Sequence, residues 1–110
     1  MLVSRDENIV IITQEKGSVK ILVNNIEQVY DTYKNDHLIV NLTSIEEIEL
    51  QDIIEFLRLS NTHRGSKKSF VIITDRVDID AMPDEICVVP TLQEAYDIIE
   101  MEEIERDLGF

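Results

Sequence analysis

Five carboxylates lie within eleven positions, Asp75, Asp78, Asp80, Asp84 and Glu85, and closely spaced oxygen ligands are what a hard cation such as calcium takes. The segment lacks the alternating ligands, the glycine and the closing Glu about twelve positions on that define an EF-hand loop, so the expectation is a solvated loop with no metal assigned. The other chemistry-bearing residues are sparse: two histidines, His37 and His63, and one cysteine, Cys87. His37 has no Cys, Ser or Asp partner at motif spacing, and His63 sits at the polar end of a helical stretch, so neither is given a catalytic role. Cys87 lies inside the apolar run Ile86-Cys87-Val88-Val89 and reads as a small buried hydrophobe. With three glycines in all, and neither Gly-x-x-x-x-Gly-Lys-Ser/Thr nor Gly-x-Gly-x-x-Gly, the chain has no recognisable phosphate cradle. The expectation is a protein that is not an enzyme and carries no cofactor.

Charge narrows the partners. The 110 residues hold 23 Asp and Glu against 10 Lys and Arg, a formal charge of −13. A chain this acidic is repelled by the phosphate backbone that supplies most nucleic-acid affinity, so free DNA or RNA is not an expected partner. One basic cluster stands out, Arg58, His63, Arg64, Lys67 and Lys68, with no acid between Arg58 and Ser69. It suits a solvated helix end, where cations meet the C-terminal dipole, or a receptor for the acidic tail of a second copy. No apolar run approaches the roughly 18 residues of a membrane span. The start, Met1 to Glu7, has no basic region followed by an apolar one, so a cytoplasmic protein with no membrane contact is expected.

The elements that must position these residues alternate in period. Leu2-Val3 and Ile9-Val10-Ile11-Ile12 are β-branched-rich runs joined by a polar link, which suits an antiparallel hairpin. Val19, Leu22, Val23, Ile26, Val29, Tyr30 and Tyr33 recur at three- and four-residue spacing behind the start signal Gly17-Ser18, which predicts one amphipathic helix. His37 to Leu42 reads as a strand buried on both faces. Leu50, Ile53, Ile54 and Leu57 predict a second helical stripe that ends near Gly65, with Phe56 and Leu59 lying off it as flanking core or surface contacts. Phe70-Val71-Ile72-Ile73 and Ile86 to Val89 are two further buried runs. Thr91 with Glu94 makes a capping box ahead of the last helix. The order β-β-α-β-α-β-β-α in a single domain spanning 1–110 predicts an α/β sandwich with a mixed, largely parallel sheet.

Leu38-Ile39-Val40-Asn41-Leu42-Thr43-Ser44-Ile45, Phe56-Leu57-Arg58-Leu59 and Val88-Val89-Pro90-Thr91-Leu92-Gln93-Glu94-Ala95 stand in the order and spacing of a STAS domain. The chain resembles that family, the fold of bacterial anti-sigma factor antagonists and of sulfate-transporter tails, over roughly residues 8 to 100. The resemblance implies a STAS-like fold and a regulatory role exercised by binding another protein, an anti-sigma or kinase-like regulator. In the family a Ser or Thr at the start of the second helix is phosphorylated, adding about −1.5 to −2 charge at the contact. The matching positions here are Glu49-Leu50-Gln51-Asp52, and Ile45 through Leu59 contains no Ser, Thr or Tyr. Glu49, Gln51 and Asp52 are the residues the resemblance places against a partner. Glu46, Glu47, Glu49 and Asp52 either fix a negative face permanently or serve the helix dipole.

The tail, Glu100 to Phe110, also resembles the ending of short Bacteroidetes proteins that carry a ribonuclease Z label. Two isolated histidines cannot supply that nuclease's His-rich zinc motif, so this likeness implies at most an accessory role beside an RNA-processing enzyme. Independently of any family, residues about 100° apart on a helix place Leu92, Ala95, Tyr96 and Ile99 on one face and Met101, Ile104 and Leu108 on the other. If the helix is unbroken it cannot bury both stripes against one sheet, which makes 101–110 an interaction tail for another protein or for a homodimer; a bend or fraying after Glu100 would instead fold the tail back on its own domain. From Thr91 onward seven acids face one base, Arg106, and the expected counterpart is basic. The leading expectation is a non-catalytic interaction module, and the alternative is a small-ligand or nucleotide-binding module using the Asp75 to Glu85 loop.

Overall fold

The computed structural model describes residues 1–109. Five strands form one sheet in the order β1-β2-β3-β4-β5: β1 Leu2–Asp6, β2 Ile9–Thr13, β3 His37–Asn41, β4 Phe70–Ile73 and β5 Cys87–Val89. β1 and β2 pair antiparallel across Glu7-Asn8, with Asp6 opposite Ile9. Glu7 takes the left-handed conformation (φ 54°) that closes so tight a turn. The remaining pairs are parallel, with Val10 beside Leu38, Leu38 beside Phe70, and Val71 beside Cys87. The sheet is therefore mixed and largely parallel, in an α/β fold whose strands follow the predicted order, with two of the predicted helices each divided in two.

Alternation along the strands divides the core between two faces. Val10, Ile12, Leu38, Val40, Phe70 and Ile72 point to one side, where α1 (Val19–Gln28), α3 (Leu50–Ile54) and α4 (Leu57–Gly65) cover them with Leu22, Ile26, Ile53, Phe56 and Leu59. Ile39, Val71, Ile73 and Val89 point to the other, where α5 (Leu92–Asp107) lays down Ala95 and Ile99. A strand covered on both sides has no polar face to show, which is why β3 and β4 read as continuous apolar runs.

Two of the helices differ from expectation. The predicted helix over Val19 to Tyr33 breaks at Val29, whose N–H bonds Ile26 three residues back, and a single-turn α2 (Tyr30–Tyr33) follows. Ser18 caps its start as predicted, accepting from the Ile21 N–H at 3.4 Å. The second predicted helix also breaks, at Glu55-Phe56, into α3 and α4. Phe56 lies near the bridge region (φ −84°, ψ −4°), and its N–H bonds the Ile53 carbonyl at 3.0 Å. The elbow turns Phe56 and Leu59 into the core and leaves Leu50, expected on the buried stripe, 41% exposed. α5 instead runs unbroken for 16 residues from its Thr91 cap, whose Oγ1 accepts from the Glu94 N–H at 3.2 Å. Leu92, expected on its core stripe, is 40% exposed because it sits in the first turn, ahead of the crossing over the sheet.

Candidate protein-binding surfaces

The histidines are structural. His63 is fully buried, with Nε2 2.7 Å from the Asp36 carbonyl and Nδ1 2.7 Å from the Tyr30 hydroxyl. A carbonyl only accepts, so Nε2 carries the proton and Nδ1 accepts from the tyrosine. Burial pushes this imidazole down to about 4. The expectation of a polar helix end is corrected here: the break at Val29 swings Tyr30 under α4, and His63 becomes core. His37 is likewise buried, its Nδ1 accepting from the Ser69 N–H at 2.9 Å and its Nε2 lying 3.3 Å from Glu103. Burial lowers its pKa, with the Glu103 carboxylate opposing. Cys87 is half-buried, and burial raises its thiol pKa, so it holds its proton at neutral pH.

The basic cluster is engaged largely within the chain. Arg64 Nη2 donates to Glu102 Oε2 at 2.6 Å, and the Ser69 hydroxyl donates to Glu102 Oε1 at 2.6 Å. Arg106 donates to Ser69 Oγ at 3.2 Å, and Arg58 pairs with Glu27 at 2.7 Å. Burial alone would raise the Glu102 carboxyl, yet the hydrogen bonds from Ser69 and Arg64 and the charges of Arg64 and Arg106 hold it below its ordinary value. Arg64 and Arg58 thus pair with this chain's own acids, Arg58 in an exposed pair, while Lys67 and Lys68 make no ion pair among the described residues. The network also clamps α5 to the sheet at mid-length, so the acids on its inner side are structural.

The acidic loop splits among small tasks. Asp78 Oδ1 caps the 3₁₀ turn Ile79–Ala81 by accepting from the Asp80 N–H at 3.0 Å, and Asp75 pairs with Arg76 at 3.3 Å. Among the described residues no group of three His, Cys, Asp or Glu side chains converges on a point a metal ion could take. A cavity of about 350 Å³ lies between this loop and α5, lined by Arg64, Met82, Cys87, Ile98 and Glu102, with Asp84 as its one loop carboxylate. Arg64 Nη1, in the same region, is buried without a hydrogen-bond partner.

The residues expected to meet a partner fall on two surfaces. At the start of α3, Asp52 accepts from the Glu49 N–H at 3.0 Å, so Asp52 serves as a cap while Glu49 and Gln51 stay exposed. Gln51 opens onto a groove of about 480 Å³ between α1 and the α3–α4 elbow, with Asn24, Glu27, Ile54, Glu55 and Arg58 around it. The second surface is the outward face of α5. Met101, Ile104 and Leu108 are 51, 53 and 67% exposed and lie together along the last turns. Phe110, the end of the expected tail, lies outside the described residues. The groove is what sequence reasoning missed, because its floor exists only through the elbow at Phe56.

Among the described residues no helix is long and apolar enough to cross a membrane. No family model matches the chain, and no curated protein does. Its fold is similar to that in an NMR structure of the protein TM1081, with a TM-score of 0.64 over 89% of this chain and 86% of that one, at 12% sequence identity. At that identity the likeness shows the fold alone.

Proposed function

We propose that this chain is a non-catalytic, STAS-like protein–protein interaction module, cytoplasmic and regulatory, whose partner is an anti-sigma or kinase-like regulator. The observation that carries the reading is the outward face of α5. A 16-residue helix buries Ala95 and Ile99 and presents Met101, Ile104 and Leu108 together to solvent, an apolar stripe of the kind that marks an interaction site. The β-β-α-β-α-β-β-α order and mixed sheet are compatible with the family. Glu49 and Gln51, beside the α1–α3 groove, form the second contact surface. Asp52 holds the backbone of that surface in place. The absence of Ser, Thr or Tyr from Ile45 through Leu59 makes this contact constitutive, since no hydroxyl is there to carry a phosphate.

The test is a tagged pull-down from native extract with the intact chain and with the triple variant Met101→Ser, Ile104→Ser, Leu108→Ser run in parallel. A protein retained by the first and lost by the second supports the module, and retention of identical sets by both sinks it. A small-ligand module is the second reading, favoured by the cavity against α5 and the unpartnered Arg64 Nη1. A rise in melting temperature with nucleotides, abolished by Arg64→Gln, would select it instead.

A further inference from the structure

The charges around the outward face of α5 set the kind of partner as well as the place of contact. Glu94, Asp97, Glu100, Glu105 and Asp107 are the exposed acids of this helix, and they flank the apolar stripe of Met101, Ile104 and Leu108. Its one base, Arg106, is turned inward to Ser69 and Glu102. Every exposed charge that α5 itself sets beside the stripe is therefore negative, and Lys67 and Lys68 approach only its far end, near Asp107. A second copy brings the same pattern, and two such helices packed face to face would hold like charges well inside a Debye length of about 8–10 Å. The formal charge of −13 on each chain opposes the approach further. An apolar seam with single-sign flanks thus selects against itself and for the opposite sign. We propose that the outward face of α5 docks a basic amphipathic helix of another protein, its apolar seam on Met101, Ile104 and Leu108 and its Lys or Arg flanks against the acids. The inference rests on the interaction-module reading and adds the charge and shape of the partner.

The probe is a synthetic helical peptide with Leu at the seam positions and Lys on both flanks. It is measured by fluorescence anisotropy against the full chain, beside a scrambled peptide of the same composition and a version with Glu in place of Lys. Sedimentation reports the oligomeric state of the chain alone. The expected result is saturable binding of the Leu/Lys helix, at least about tenfold weaker for the scrambled peptide and for the triple Ser variant, with no binding of the Glu version and a monomeric chain. Binding should also weaken on raising salt to about 0.5 M. A second variant, Glu100→Lys with Glu105→Lys, keeps the seam and should shift preference toward the Glu peptide.

Equal binding of the scrambled peptide, unchanged binding by a folded triple variant, or no binding at all overturns the proposal. So does a dimer that the triple variant dissolves, since a second copy would then be the occupant. The pull-down separates the two failures. A cellular partner lost with the triple variant, while the Leu/Lys peptide does not bind, keeps the module and removes the basic helix; identical sets retained by both baits, together with no peptide bound, remove both.

Discussion

The imidazole of His63 sits between a donor and an acceptor that together demand the neutral ring, and pH can test this directly. In the unfolded chain a histidine takes its proton near pH 6.5, whereas in the fold it does so only at about 4. Between those values the unfolded state binds more protons, so this residue's contribution is complete above about pH 6.5 and is lost as pH falls toward 4. The loss amounts to roughly 2–3 kcal/mol. Urea unfolding at pH 7.5 and 4.5 should show a pH-dependent drop in the native chain that His63→Gln diminishes by that amount; equal slopes in both proteins would mean the ring is not held neutral. Tyr30→Phe removes the hydroxyl that donates to Nδ1 and leaves a buried acceptor unpaired, with an expected loss of about 1–3 kcal/mol. None of this was legible in the sequence. His63 stands among Ser60, Asn61, Thr62 and Arg64, a polar neighbourhood by composition, and its hydroxyl partner lies 33 positions away.

Helices divide at places where periodicity alone says they continue. The spacing of Leu50, Ile53, Ile54 and Leu57 fits one helix, and nothing local forbids it, since neither Pro nor Gly interrupts 50–60. What breaks it is tertiary: the ring of Phe56 packs beside Phe70, with centroids 6.1 Å apart, and a straight helix centred on Ile53, Ile54 and Leu57 would turn the buried Leu59 to the opposite side. Two substitutions distinguish the elbow from the straight helix. Phe56→Ala should lower stability by about 3–5 kcal/mol, as a large buried ring is removed. Leu50→Ser should change it by less than about 0.5 kcal/mol, because the side chain is already in solvent. Chemical denaturation of both variants checks the pair, and a costly Leu50 with a cheap Phe56 would restore the continuous stripe. α5 was the most legible helix: its Thr91 cap and its Met101, Ile104 and Leu108 stripe follow from the spacing, whereas its unbroken run past Glu100 and the exposure of Leu92 do not. What the spacing did not supply was the inner polar layer of Glu102, Arg64, Ser69 and Arg106, since Arg64 and Ser69 stand more than thirty positions before Glu102 and Arg106.

At the scale of the whole molecule, two electrostatic effects compete. Ion pairs tie distant segments together: Arg5 to Asp36 at 2.6 Å anchors the hairpin against the turn before β3, and Arg58 to Glu27 joins α4 to α1. Both involve exposed partners, and each such pair contributes about 0–1 kcal/mol. Against them stands a surplus of thirteen negative charges spread over a chain whose radius of gyration is 13.0 Å, where many acids lie within a Debye length or two of one another. Salt screens attraction and repulsion alike, so the sign of its effect reveals which dominates. With so few pairs and so large a surplus, repulsion dominates, and raising NaCl from about 0.02 to 0.5 M should stabilise the fold. A gain of about 1 kcal/mol corresponds to a rise of roughly 4–8 °C in Tm for a domain of this size. Thermal melts across the salt series read this directly, and a falling Tm would mean that the cross-element pairs outweigh the surplus. The same screening must weaken the docking of a basic helix on α5, so a single salt titration should move folding and binding in opposite directions. Loss of both together would instead point to unfolding as the reason binding disappears.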